Sequence, residues 1–124
     1  MFDKQKIILF GEQPIAKVTD KILDNIILRD FGSNADIVKL KLDQVSSDTK
    51  YGKNRISAAI LKLANMDIYL IDNLIKKSIN DFRDVVSIAE YPRCSKLDFD
   101  VLKSQDKKQV ILDDWNEYSN WLKD

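Results

Sequence analysis

The stretch that decides the fold class is residues 53–79, KNRISAAILKLANMDIYLIDNLIKKSI, in which aliphatic side chains recur every three or four positions. Such spacing places side chains on one face of an α-helix. These apolar positions are Ile56, Ala59, Ile60 and Leu63, and then Ile68, Ile71, Leu74, Ile75 and Ile79. We therefore predict a helix over about 53–64, a break at Asn65 and Met66, and a second helix capped by Asp67. So short a connection indicates an antiparallel helical hairpin.

Helical periodicity extends toward the N-terminus. Pro14 suits the first position of a helix, and we predict one over 14–31 that ends at Gly32. The segment 35–45 partly alternates like a strand, but it also carries a helical stripe and has no evident partner strand, so we predict helix and keep strand as the alternative. The residues of that stripe are Ala35, Val38, Leu42 and Val45. The apolar run at 6–10 predicts an isolated strand or a short extended N-terminal arm.

Three further segments complete the chain. Ser78 or Asn80 can cap a helix that begins near Phe82 and ends at Tyr91-Pro92. Residues 93–104 have no periodicity and are predicted to be irregular. In the last helix, the predicted capping pair is Asp106 with Gln109, and the apolar face is Ile111, Trp115, Tyr118 and Leu122. The sequence thus predicts an all-α protein, a compact bundle of five to six helices with short loops in one domain over 1–124.

Composition limits the functions that the chain can perform. Its 124 residues carry 20 basic and 20 acidic side chains, so the net charge is zero and nucleic-acid binding is not favoured. No window approaches the roughly 20 apolar residues of a membrane span. The single cysteine, Cys94, suits a reducing compartment. We therefore expect a cytoplasmic protein that binds no membrane.

Histidine is absent from the chain. Its absence excludes Ser-His-Asp and Cys-His catalysis, and with one cysteine it also excludes structural zinc within one chain. Asp98 and Asp100 lack the further carboxylates and the glycine of a calcium loop. We therefore expect no metal and no cofactor, and the sequence favours a non-enzymatic protein.

Two polar regions are candidates for ligand binding. Arg55, Asp81, Arg83 and Asp84 could form a small-ligand or anion site, or an active site, if they converge in one pocket. Residues 50–62 place several cations near a helix N-terminus, which favours anions and leaves weak nucleic-acid binding as an alternative. Capped helix starts and solvated faces are the favoured explanation of these charges, and the same holds for Asp113, Asp114 and Glu117 in the last helix.

The aromatic side chains Trp115, Tyr118 and Trp121 are the candidate interface. Tryptophan and tyrosine combine a large apolar area with a polar tip, which favours them at protein interfaces. Packing of the last helix on the rest of the bundle is the alternative. With the apolar N-terminal run, this trio makes a protein-interaction or regulatory module the leading hypothesis. Its partner would be another protein or a second copy.

One part of the chain resembles a known group of sequences. The motifs are Arg55 with 58–63 (AAILKL), then 81–85 (DFRDV) and 89–92 (AEYP). Over residues 53–92 this pattern resembles short, uncharacterised bacterial helical proteins. The resemblance implies a small helical bacterial protein and implies no activity, cofactor or catalytic residue.

Overall fold

A computed structural model describes residues 2–97 and 102–123 of the chain. Within these ranges there is no β-strand, so the predicted all-α class is confirmed. The helices are α1 (Phe2–Phe10), α2 (Asp20–Phe31), α3 (Ala35–Leu42), α4 (Lys50–Ala64), α5 (Ile68–Glu90), α6 (Pro92–Lys96) and α7 (Ser104–Lys123). The chain divides into two compact units. We call Lys17–Ala89 the internal unit, and Met1–Ala16 with Glu90–Asp124 the terminal unit.

Helix α2 begins six residues later than the sequence predicts. Thr19 is its N-cap, with extended backbone and a side chain that accepts a hydrogen bond from the Ile22 amide at 3.2 Å. The prediction of a helix from Pro14 was wrong because residues 14–19 bury every second side chain, as extended backbone does. Those buried side chains are Pro14, Ala16 and Val18.

Helix α3 confirms the prediction of helix over strand for this segment. All four residues of the predicted stripe are buried: Ala35, Val38, Leu42 and Val45. Gly32 links α2 to α3 through a short 3₁₀ turn, Gly32–Asn34, and has a positive φ of 48°. That conformation is unfavourable for residues with a Cβ, which explains why a glycine ends α2.

Helix α4 is the central element of the internal unit. It begins at Lys50, because Thr49 caps it by accepting from the Gly52 amide at 2.9 Å. Every residue from Ile56 to Leu61 is buried, which is a wider apolar surface than the predicted single face. Asn65 then adopts the left-handed conformation and ends α4, and Asp67 accepts a hydrogen bond from the Tyr69 amide, as its predicted capping role requires.

Helix α5 contains a break that the sequence places only approximately. Asp81 has non-helical backbone angles (φ −153°, ψ 87°) and separates two helical segments. The sequence predicted a new cap at Ser78 or Asn80. Ser78 is instead buried within the first segment, where its hydroxyl donates to the carbonyl of Ile75 at 2.6 Å.

The terminal unit brings the two ends of the chain together, and it contradicts the predicted N-terminal arm. The segment is helix α1, in which Ile7 is fully buried in a cluster with Tyr91 and Ile111. A lone extended segment would leave its backbone groups unpaired, whereas a helix pairs them internally and still buries one side chain. Cys94, Leu112 and Trp115 pack against this cluster.

The C-terminal half of the terminal unit corrects two further predictions. Helix α6 (Pro92–Lys96) overlaps the segment 93–104 that was predicted to be irregular. It starts at Pro92, because proline is compatible with the first position of a helix. Helix α7 begins at Ser104, so Asp106 and Gln109 are not its capping pair. Asp98 and Asp100 lie outside the described residues.

Candidate functional sites

The aromatic trio of α7 is divided between core and surface. Tyr118 is only 1% exposed and stacks on Trp121, with ring centroids 5.6 Å apart. Trp115 is half-buried against the cluster around Ile7. Tyr118 thus belongs to the packed interior of the terminal unit, and the two tryptophans offer only part of their surface to a partner.

Three of the four residues of the predicted polar cluster lie around the break in α5. Asp81, Arg83 and Asp84 are all exposed there, and the Arg83 guanidinium lies 5.8 Å from the Phe82 ring centre. Arg55 is half-buried in α4. A groove of about 370 Å³ adjoins this region, and its lining residues are Ser46, Ser47, Asp48, Ile56, Ser78, Ile79 and Phe82. That groove is therefore lined by neighbours of the predicted cluster and not by its four members.

The cations of segment 50–62 are largely engaged within the internal unit. Lys50 forms an ion pair with Asp20 at 2.5 Å, and the Lys62 ammonium donates to the Ala89 carbonyl at 2.6 Å. The hydrogen bond to Asp20 raises the pKa of Lys50, and the hydrogen bonds from Lys50 and Asn54 lower the pKa of Asp20. Asp20 thus offsets positive charge at the start of α4.

A second groove of the internal unit was missed by sequence analysis. It has a volume of about 560 Å³ and lies between α2, α4 and the end of α3 with the loop that follows it. Its lining residues are Asp20, Leu23, Asp24, Ile27, Lys39, Leu42, Asp43, Ser47, Asp48, Thr49, Lys50, Lys53, Asn54 and Ser57. The only sequence signals are Asn54 and Ser57, two polar side chains at the start of an otherwise apolar run.

The terminal unit contains a buried carboxylate, Asp114, that was predicted to be solvated. It is fully buried and accepts hydrogen bonds from the backbone amides of Arg93 and Cys94 at 3.1 Å. It also accepts from the Arg93 side chain at 2.9 Å, and Arg93 in turn contacts Glu117 at 2.8 Å. Asp114 caps α6 from another helix. Its position, three residues after the buried Ile111, was the available signal.

The surroundings of Cys94 make it a weak nucleophile. Burial, followed by the hydrogen bond with Asp114 and its negative charge, raises the pKa of the Cys94 thiol from 9.0 to about 11. The thiolate is the reactive form of cysteine, and this site disfavours it. The hydrogen bonds to Asp114 and Glu117 raise the pKa of Arg93, which therefore stays charged.

Three successive apolar side chains of α1 are exposed in the terminal unit. Ile8, Leu9 and Phe10 are 57%, 65% and 70% exposed, directly after the buried Ile7. A groove of about 270 Å³ between α1 and α7 adjoins this surface. Its lining residues are Ile7, Ile8, Gln105, Lys108, Gln109 and Leu112. We call Ile8, Leu9, Phe10 and this groove the α1 surface.

Comparisons with other proteins give no relative from which a function could be inferred. No family model, curated protein or solved structure matches the chain. Across residues 2–97 and 102–123, no three Cys, Asp or Glu side chains are grouped so that they could hold a metal ion. In the same part of the chain, no helix has both the length and the apolar character needed to cross a bilayer.

Proposed function

We propose that the chain is a non-enzymatic protein-interaction module that binds its partner through the α1 surface. One observation carries the proposal: three consecutive large apolar side chains, Ile8, Leu9 and Phe10, are each more than half exposed on a helix that Ile7 anchors. Exposed apolar residues occur singly on most proteins. Three in succession, which project about 100° apart around the exposed side of α1, give this helix an unusually apolar surface, and such surfaces favour interaction. The groove beside them supplies a cavity for an anchoring side chain.

The charges around the α1 surface indicate which partner fits. Lys4 lies one helical turn before Ile8, and Lys6 lies one turn before Phe10. The aliphatic part of the Lys108 side chain packs near Gly11, 3.8 Å from the position that a Cβ on this glycine would occupy. None of these three ammonium groups forms an ion pair with a described residue. Lys4, Lys6 and Lys108 outnumber the two carboxylates beside the same surface, Asp3 and Glu12. This excess of positive charge favours an amphipathic helix whose polar face is acidic.

This proposal places the docking surface on α1, with the aromatic residues of α7 in a supporting role. Trp115 packs on the cluster that holds Ile7, so this member of the aromatic trio supports the helix that presents the surface. Weak nucleic-acid binding through 50–62 has less support, because Lys50 and Lys62 are engaged within the unit. A bacterial host and a cytoplasmic location belong to the same proposal, supported by the partial sequence resemblance and the unpaired Cys94.

The test uses a synthetic amphipathic helix with leucines on one face and glutamates on the other, titrated into the full chain and followed by NMR. We expect saturable binding with the largest shifts in α1. Leu9→Asp should weaken binding at least tenfold, as loss of one apolar anchor does. Leu40→Asp is the matched control, because Leu40 is 71% exposed in the internal unit and should not affect binding.

Three results would overturn the proposal. One is equal binding of the same peptide with lysines in place of glutamates, which would remove the argument from charge. Another is equal loss of binding in the Leu9 and Leu40 variants. The third is concentration-dependent self-association by light scattering that Leu9→Asp abolishes, which would assign the α1 surface to a second copy of the chain.

A further inference from the structure

The 560 Å³ groove of the internal unit has the form of a small-molecule site. Its volume falls within the roughly 300–1,000 Å³ of known ligand pockets. Leu23, Ile27 and Leu42 give it apolar walls, and the last two of these are almost fully buried. Charged residues stand at its rim. Apolar walls with a few polar groups are what a small organic ligand requires.

A buried polar group at this groove has no partner. Ser57 is 1% exposed, and its hydroxyl forms no hydrogen bond within the described part of the chain. The other buried serine of this unit, Ser78, donates to the Ile75 carbonyl. Native proteins pair nearly all buried polar groups, so a hydroxyl that lines a groove and has no protein partner is available to a ligand.

The polar groups of this groove that have no hydrogen-bond or ion-pair partner in the described part of the chain are mainly acceptors. The Asn54 amide nitrogen already donates to the Val18 carbonyl at 3.1 Å and to Asp20 at 2.9 Å, which leaves only its oxygen available. Asp20 and Asp24 are paired with Lys50 and Lys39. Among the lining side chains that the structure describes, the charges without an ion pair are two carboxylates, Asp43 and Asp48, and one ammonium, Lys53.

We propose that this groove binds a small organic ammonium ion of the diamine class. One ammonium group donates to the Ser57 hydroxyl and the Asn54 amide oxygen, and the second pairs with Asp43 or Asp48 at the rim. The carbon chain between them lies against Leu23 and Leu42. An anionic ligand would meet four carboxylates of the lining and gain only one free cation.

The experiment titrates 1,4-diaminobutane into the full chain at low ionic strength, with calorimetry and NMR as readouts. We expect saturable binding with shifts at Asn54 and Ser57. Ser57→Ala should weaken binding about five- to tenfold, the effect of one hydrogen bond. It should also raise the Tm of the ligand-free protein, because it removes an unpaired buried hydroxyl. Ser78→Ala is the matched control and should leave the affinity unchanged.

Each alternative result overturns the inference. Absence of saturable binding up to about 10 mM would show that the groove has no useful affinity for diamines. Succinate, a dicarboxylate of the same chain length, should not compete, and equal binding of succinate would assign the groove to anions. Equal affinity of the wild-type chain and Ser57→Ala would show that the buried hydroxyl is not part of a ligand site.

Discussion

The internal and terminal units differ in how far apart along the chain their packing partners lie. In the internal unit, α2 packs on α3 and on α4, the helices that follow it. In the terminal unit, Ile7 packs against Tyr91 and Ile111 from the opposite end of the chain. In each unit a buried polar side chain binds the backbone of a distant segment: Asn54 binds the Val18 carbonyl in the internal unit, and Asp114 binds the amides of Arg93 and Cys94 in the terminal unit. Both side chains hold a distant backbone segment in place, but we expect the loss of Asp114 to reduce the free energy of unfolding more than the loss of Asn54.

The largest effect is expected from Asp114→Ala. The variant leaves the amides of Arg93 and Cys94 without their acceptor and removes the ion pair to the Arg93 side chain. We expect a loss of about 2–4 kcal/mol in the free energy of unfolding, measured with urea. Amide exchange should rise more in α7 than in α4.

The matched control for this prediction is the neighbouring carboxylate. Asp113 is exposed and accepts a hydrogen bond from the side chain of Gln109, four residues earlier on the same helix. Its replacement by alanine should change stability by about 0.5 kcal/mol or less. Equal effects of the two substitutions would show that Asp114 is solvated, as the sequence suggested.

A smaller effect is expected from Asn54→Ala in the internal unit. The substitution leaves the buried Val18 carbonyl unpaired and removes the hydrogen bond to Asp20. We expect a loss of about 1–2 kcal/mol, less than for Asp114 because no charged hydrogen bond to buried backbone is involved. Asn25→Ala, at an exposed position of α2, is the control and should change stability by less than about 0.5 kcal/mol. A loss larger than that of Asp114→Ala would reverse the ranking of the two units.

The smallest effect is expected at Asn65, which ends α4 with φ 50° and ψ 53°. Glycine adopts this conformation without strain, so Asn65→Gly should stabilise the chain by up to about 1 kcal/mol. Asn65→Ala should destabilise it by about 1 kcal/mol, since a Cβ without a polar side chain disfavours the left-handed region. Thermal unfolding of the pair provides the measurement, and effects of the same sign would contradict the assigned conformation.

The helices of the internal unit were largely predictable because their signals are local. The apolar stripe of Ala35–Leu42 is visible within a single segment, and the capping residues Thr49 and Asp67 directly precede the helices that they cap. The start of α2 and the break in α5 were exceptions: the segment before α2 is extended and buries alternate residues, and Ser78 is buried within the helix that it was predicted to cap. A proline at a suitable position was a weaker signal than the Thr19 cap.

The terminal unit was harder to predict because its decisive contacts are distant in sequence. The run 7–10 is apolar at every position, so no local pattern distinguishes the buried Ile7 from the exposed residues after it. Asp114 resembles an ordinary solvated acid until α6 is placed beside it. The candidate sites also differ in how local their signals are. The aromatic trio was recognisable from residue type. The α1 surface and the 560 Å³ groove beside Ser57 depend on which helices pack together.

The most direct test of the account is an NMR measurement of contacts around Ile7 in the full chain. The proposed docking surface exists only if α1 is a helix that buries Ile7 and leaves Ile8, Leu9 and Phe10 exposed. We predict nuclear Overhauser effects from the Ile7 methyl groups to the Ile111 methyl groups and the Tyr91 ring, with helical chemical shifts over residues 3–10. Backbone chemical shifts typical of an extended segment at residues 3–10, without a nuclear Overhauser effect between Ile7 and Ile111, would contradict the account.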